Sequence, residues 1–369
     1  MKNLGKILTL TGAYLGFLIG SGVATGQELM QYYSPYGFCV FGTAITIAII
    51  LIIANYGFSY AGKNGNLKTG GDVFTFYCGK IAERIFDLFS VVFCYMSFVV
   101  MVAGGAATLE QQYAVPTVVG AILVAALAAC TVAFGLGKIV DIIGKITPIM
   151  LMCIFAISVV ALVKNASGIP NNIEAINSGA LEVTKAGKNW FASGVSNGGF
   201  CILWLAGFSA VLGQKGDFKT LQKANILSAI LLVIINMLIG FSLLAKIDIV
   251  GAMQIPNLYI AKEIWTPLGY IFGILIFVAI YTSACPLLWT PVGRFAEEKT
   301  AKFKLLSVIL AILGVVIALY IPFNILMNYI YVINGYLGFV VLAIMIVRMV
   351  LMRLKKKNNT DSKNIGINA

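Results

Sequence analysis

Ten stretches of this chain, at roughly 7–33, 36–61, 84–108, 114–135, 141–163, 190–213, 222–245, 264–292, 303–321 and 324–352, are apolar over about the length that crosses a membrane. Some 20 apolar residues in a helix span a hydrocarbon core of about 30 Å. Within that core every backbone N–H and C=O must find an internal partner, which favours helices for runs of this length. The expected fold class is therefore all-α integral membrane, a single ten-helix transmembrane domain over 1–353. Composition agrees: 60% of the 369 residues are apolar and only 11% are charged.

The loops carry a charge bias. With a cytoplasmic N-terminus, the inner segments hold 21 of the 26 Lys and Arg, and only Lys164, Lys185, Lys188, Lys246 and Lys262 fall outside. A positive-inside distribution of this kind fits ten spans in the cell inner (plasma) membrane with both termini cytoplasmic. Residues 354–369, beginning Leu354-Lys355-Lys356-Lys357, read as a disordered cytoplasmic tail attracted to anionic lipid. A cleaved signal peptide is the competing reading of Lys2, Lys6 and the first apolar run. The polar residues that follow, and the Tyr32-Tyr33 pair suited to an outer interface, favour a retained first span.

Several function classes drop out. The net charge of +12 is divided among short loops without interleaved aromatics, so nucleic acid is not an expected partner. The chain has no histidine, which removes Ser-His-Asp catalysis and His-containing zinc sites. It has no phosphate-cradling Gly-x-x-x-x-Gly-Lys-Ser/Thr loop. Seven cysteines without a Cys-x-x-Cys pair read as packing residues. Loops too short for a nucleotide-binding domain point away from an enzyme and toward a secondary transporter whose partners are a small-molecule solute and the bilayer. No resident cofactor and no obligate protein partner is evident.

The first stretch is interrupted halfway by Gly20-Ser21-Gly22 and then carries Thr25, Gln27 and Glu28. Glycines that loosen a membrane helix are tolerated mainly where the freed backbone lines a polar cavity. Ser21, Thr25, Glu28 and Tyr32 share one face at helical spacing. Glu28 lies about eight residues beyond Gly20, or roughly 12 Å along a helix, toward the edge of the hydrocarbon. It is expected as a substrate or gate residue or as an interfacial charge.

The longest outer connection, about 166–189, divides the chain into halves of five spans, about 1–165 and 190–353. Homologous halves with an odd number of crossings must lie inverted, as in many ion-coupled carriers. Span 6 is then the partner of span 1, and it too is rich in small and polar residues: Ser193-Gly194-Val195-Ser196-Asn197-Gly198-Gly199. Both spans are expected to be broken, with substrate held by Gly20, Ser21, Gly22, Thr25, Glu28, Ser196, Asn197 and Gly198. Close packing is the alternative for Gly198 and Gly199. In span 8, Ala279, Thr282 and Ser283 have the spacing of one helical face, and Pro286 removes a donor to the Thr282 carbonyl. Two hydroxyls and a carbonyl suit a small cation; back-bonding to the preceding turn is the alternative.

The segments Gly20-Ser-Gly-Val-Ala-Thr-Gly-Gln-Glu28-Leu-Met-Gln-Tyr-Tyr33 and Tyr281-Thr-Ser-Ala-Cys-Pro-Leu-Leu-Trp-Thr290 resemble the YkvI-like bacterial membrane proteins. That group is similar to the amino acid-polyamine-organocation superfamily with the LeuT-type 5+5 inverted repeat. The resemblance implies a transporter with broken helices 1 and 6 and a substrate between them, bounded by spans 3 and 8. It also implies a sodium site at Gly16, Ile19, Ala279, Thr282 and Ser283. In proton-coupled relatives a lysine of span 5 takes the place of the ion, which makes Lys145, with Glu28, the alternative for H+ coupling.

The expected function is thus alternating-access, cation-coupled uptake of an amino acid or related small amine or organic solute. A ligand-sensing receptor of the same fold without net transport is the runner-up. A pore is disfavoured, since neither rings of like charge nor a repeated filter motif is present.

Overall fold

The computed structural model describes residues 2–67, 72–134 and 139–365; the side chains of 139–148, which include Lys145, of 356–365 and of several further positions, Ser21 among them, lie outside the description. The first apolar stretch forms three short helices: α1 (Lys2–Leu18), α2 (Ser21–Thr25) and α3 (Gln27–Tyr32). A 3-10 segment, Ser34–Cys39, leads into α4 (Val40–Asn64), then α5 (Asp72–Tyr113), α6 (Thr117–Phe134) and α7 (Ile139–Asn165). The long connection holds α8 (Ile169–Asn177) and is followed by α9 (Trp190–Lys215) and α10 (Phe218–Leu244). Two short helices, α11 (Ile247–Val250) and α12 (Pro256–Ile264), precede α13 (Thr266–Phe295), α14 (Ala301–Tyr320) and α15 (Phe323–Ile365). The last helix runs on past Arg353, where the sequence suggests a tail.

Among the described residues, eight helices are long and apolar enough to cross a membrane, and Thr117–Ala133 is a shorter apolar helix. The first stretch falls below that length because it is cut at Gly20, leaving 17 residues in α1. Outward faces are apolar at helical spacing, as with Ile226, Ile230 and Ile234 on α10 and Ile45 and Ile49 on α4. Against lipid tails such faces carry no desolvation penalty.

The helices pack as a bundle in which α4 lies along α9, α5 along α13, α9 along α15 and α6 along α14. The α10 helix touches both α1 and α4.

Span 6 departs from expectation: α9 runs from Trp190 to Lys215 without a break. Its glycines serve close approach instead. A side chain on Gly198 would strike Ile50 of α4, one on Gly194 would meet Thr43 and Thr46, and Gly199 lies against the backbone of Gly335 on α15. Small residues at helix interfaces let backbones meet, which is their common role in membrane bundles. Only the first span is broken as predicted.

Candidate functional site

The break begins where α1 makes its last bond, from the Ile19 amide to the Leu15 carbonyl. Gly20 is extended (φ −98°, ψ −161°), and α2 restarts with the Ala24 amide on the Gly20 carbonyl. Five residues later the chain breaks again at Gly26, whose left-handed backbone (φ 84°) favours glycine. A Cβ there would also lie 2.7 Å from the Asn257 side chain. That asparagine, on α12, donates to the Val23 and Ala24 carbonyls at 3.1 and 3.2 Å and so caps α2. The second break disrupts the continuous face expected for Ser21, Thr25, Glu28 and Tyr32. Thr25 turns inward on its own helix, donating to the Gly22 carbonyl at 3.0 Å.

Beyond Gly26 the interior is polar and closed. Glu28 is 5% exposed, not a solvated interfacial charge, and its Oε1 accepts from Asn197 Nδ2 of α9 at 2.9 Å. The Asn197 Oδ1 accepts from the Tyr33 hydroxyl at 3.3 Å, and that hydroxyl accepts from Asn236 Nδ2 of α10 at 2.7 Å. Ser193 of α9 donates to the Tyr32 carbonyl at 2.7 Å, and Ser34 donates to the Gly240 carbonyl at 2.9 Å. Tyr32 and Tyr33 are fully buried, so they are parts of this cluster and not an interfacial pair. Gly22 packs directly on the Glu28 carboxyl.

On the other side of Gly20 lies a cavity of about 500 Å³. Its walls are largely aromatic, with Phe74, Phe86, Phe89 and Phe93 of α5 facing Trp204 of α9. Gly16, Ile19 and Gly20 line it from the break, and Ala279, Thr282 and Ser283 from α13. All five residues expected to hold sodium therefore border one cavity. The hydroxyls of Thr282 and Ser283 both donate to the Ala279 carbonyl, at 3.0 and 2.9 Å. They are bonded back within their own helix in this arrangement.

Of the expected substrate residues with described side chains, Gly20 borders the cavity, whereas Gly22, Thr25, Glu28, Ser196, Asn197 and Gly198 are not among its lining residues. The structure does bring Glu28 and Asn197 together, and it packs Ser196 on Gly335 of α15. The side chains of Ser21 and Lys145 fall outside the described residues; the backbone of Lys145 is within α7.

Asn236, Asn257, Trp204 and Asn334 went unrecognised in the sequence. A usable signal existed for Asn236 and Asn334, each a lone amide inside an apolar run, since polar side chains within a membrane span mark function or packing partners.

No protein-family profile matches the chain. The membrane protein YkvI of Bacillus subtilis is 23% identical over 160 residues, 43% of this chain and 46% of YkvI, so the matched part is under half of that relative. The solved structure of MhsT in complex with L-phenylalanine superimposes with a TM-score of 0.61 at 18% identity, covering 93% of this chain and 88% of MhsT. The inward-facing conformation of Mhp1 gives a TM-score of 0.64 at 14% identity, covering 94% and 77%. The fold is LeuT-like. With that fold and its distant homology to YkvI, the chain is a multi-pass membrane protein.

Proposed function

We propose that this chain is a secondary active transporter that works by alternating access and couples cation entry to uptake of an amino acid or a related small amine or organic solute. The observation that carries this reading is the cavity of about 500 Å³ that reaches the Gly20 break and stops there, with the Glu28–Asn197 cluster closing the far side. A cavity accessible from one side and sealed on the other is what a carrier needs in each half of its cycle.

Helix packing supports a five-plus-five inverted repeat. Exchange of the first five spans with the last five turns the α1–α10 contact into α9–α4, α5–α14 into α13–α6, and α5–α15 into α13–α7; every one of these pairs is in contact. The positive-inside charge distribution supports a cytoplasmic location for the ends of α5 and α13 that carry Lys80 and Arg294. The cavity, bounded by Phe74, Phe86 and Thr290 near those ends, then opens inward.

Sodium is the proposed coupling ion, held by backbone oxygens of Gly16, Ile19 and Ala279 and by Thr282 and Ser283 once their hydroxyls turn from the Ala279 carbonyl. Proton coupling through Glu28 or Lys145 is the alternative. One cation moving inward through about 100 mV releases about 2.3 kcal/mol, enough for roughly 50-fold accumulation.

Purified protein in vesicles, with sodium and proton gradients imposed separately and a panel of labelled amino acids and amines outside, tests the reading. Gradient-dependent accumulation is expected. Ligand binding with no uptake under any gradient would leave a sensor of the same fold instead.

A further inference from the structure

The cavity is bordered by two residues whose buried polar groups the protein leaves without partners. Asn334 of α15 is fully buried, borders the cavity, and has neither its Oδ1 nor its Nδ2 hydrogen-bonded. The indole Nε1 of Trp204, on α9, also borders the cavity and has no acceptor. Buried polar groups nearly always find partners, so two orphaned residues on the border of one space mark a place where a ligand's polar group pairs once these side chains turn toward it.

Their wall is rigid. Gly335, next to Asn334, meets the Ser196 backbone, and Gly338 meets the Gly199 backbone, so α15 and α9 touch main chain to main chain. Side chains set on such a pair are held in register, as selective recognition requires.

The chemistry of the ligand follows from what lines this space. Among the described residues bordering the cavity there is no Asp, Glu, Lys or Arg. The α2 segment that starts at the break has only five residues, too short for its N-terminus to replace a positive side chain. Apart from the proposed coupling ion, no charged side chain of the described lining would compensate a fixed charge on the solute. A carboxamide side chain offers one acceptor beside two donors, and the complementary group is another planar amide, with its N–H beside its C=O. The Phe86, Phe89, Phe93 and Trp204 rings suit an aromatic or apolar body.

We infer that the cavity takes an uncharged solute with an aromatic or apolar body and a planar amide group, and that Asn334, assisted by the Trp204 indole N–H, reads that amide. This rests on the transporter reading for the site's purpose and, of the solutes that reading admits, selects neutral organic amides over amino acids and amines.

A matched set sharing one ring separates the possibilities: 2-phenylacetamide, phenylacetate, phenethylamine and L-phenylalanine. Equilibrium binding of each to the purified full chain is measured by calorimetry. Phenylacetamide is expected to bind at least tenfold more tightly than the three charged probes. Asn334→Leu is expected to weaken phenylacetamide at least tenfold, since a site that pairs a polar group discriminates strongly once the pairing is removed. If that variant does not yield folded protein, Trp204→Phe, which keeps a ring and removes the N–H, is expected to weaken phenylacetamide severalfold.

Preference for any charged probe, no binding of phenylacetamide, or unchanged phenylacetamide binding in the folded variants would overturn the inference. The last result is the one expected if water alone satisfies Asn334. Vesicle uptake keeps the two claims apart. Phenylacetamide binding without gradient-driven uptake would fault the transporter reading and leave the ligand class intact. Gradient-driven uptake of L-phenylalanine with no amide binding would do the reverse.

Discussion

On one side of Gly20 the interior is a closed set of hydrogen bonds; on the other it is an open space walled by rings. The closed side joins the α3 region to α9 and α10 through Asn197 to Glu28, Tyr33 to Asn197, Asn236 to Tyr33, Ser193 to the Tyr32 carbonyl and Ser34 to the Gly240 carbonyl. Interhelical hydrogen bonds in membrane bundles contribute only about 0.6 kcal/mol each, so five amount to about 3 kcal/mol. That is close to the roughly 2.3 kcal/mol delivered by one charge crossing 100 mV. On the proposed transport cycle, a latch of this strength is of the same order as the energy one coupling ion supplies. The α9–α15 contact beside the open side is different in kind, because backbone meets backbone at Gly199 and Gly335. The proposed cycle would part the first boundary and keep the second.

Substitutions can break or sharpen this contrast. The largest effect is expected at the fixed boundary: Gly199→Leu places a side chain where the Gly335 backbone already lies, and overpacking of this severity costs more than the usual 1–3 kcal/mol. Loss of monodisperse protein in detergent is the expected result; a well-folded variant would show that α9 and α15 separate easily.

At the latch, Glu28→Ala leaves the Asn197 amide unpaired and should lower stability by about 1–3 kcal/mol in thermal unfolding. Glu28→Gln supplies an acceptor of the same size and should fold nearly as well. Equal loss in both variants would mean that the carboxyl itself, and not the hydrogen bond, holds the closed side.

In the open cavity, Thr282→Ala and Ser283→Ala remove hydroxyls bonded only within their own helix, so unfolding should change by less than about 0.5 kcal/mol. Sodium-dependent uptake should fall severalfold or more in each. Intact sodium dependence in both would remove the cation site from α13.

The smallest effect lies outside both regions. Asp217 caps α10, its carboxylate accepting from the Thr220 amide at 3.0 Å and from the Thr220 hydroxyl at 2.7 Å. These bonds hold its carboxyl below the usual carboxylate range. A depressed folded-state value means that the contribution is present at neutral pH and lost as pH falls through the acid range. Asp217→Asn should remove that slight pH dependence from a melting curve; an unchanged curve would show that the cap contributes nothing measurable.

The sequence made much of this readable, for reasons tied to particular residues. Apolar length located the helices because hydrocarbon thickness is fixed, and Gly20 located the first break. The i, i+3, i+4 spacing correctly set Ala279, Thr282 and Ser283 on one face of α13, where all three border the cavity. Glu28 and Asn197 were each singled out as site residues, and they meet.

Other features are properties of neighbours. Gly198 and Gly199 look the same in a sequence whether they break a helix or admit another, and here they face Ile50 and Gly335. The second break, at Gly26, is capped from Asn257, more than two hundred residues away. A face counted along a continuous helix therefore does not carry through Gly26 to Glu28. Asn334 could be noticed as a lone amide, but its unpartnered state exists only in three dimensions.

Two native cysteines report directly on the two sides. Cys94 borders the open cavity, and Cys201 is buried on α9, one turn from Asn197. The decisive measurement is site-resolved mass spectrometry of thiol modification in vesicles, with a small water-soluble reagent on both faces, at rest and under a sodium gradient with solute present. The account predicts rapid modification of Cys94 and protection of Cys201 at rest, then slower modification of Cys94 and gain of reactivity at Cys201 during turnover. A Cys201 that stays protected while Cys94 reacts at one unchanging rate would contradict alternating access across the Gly20 break.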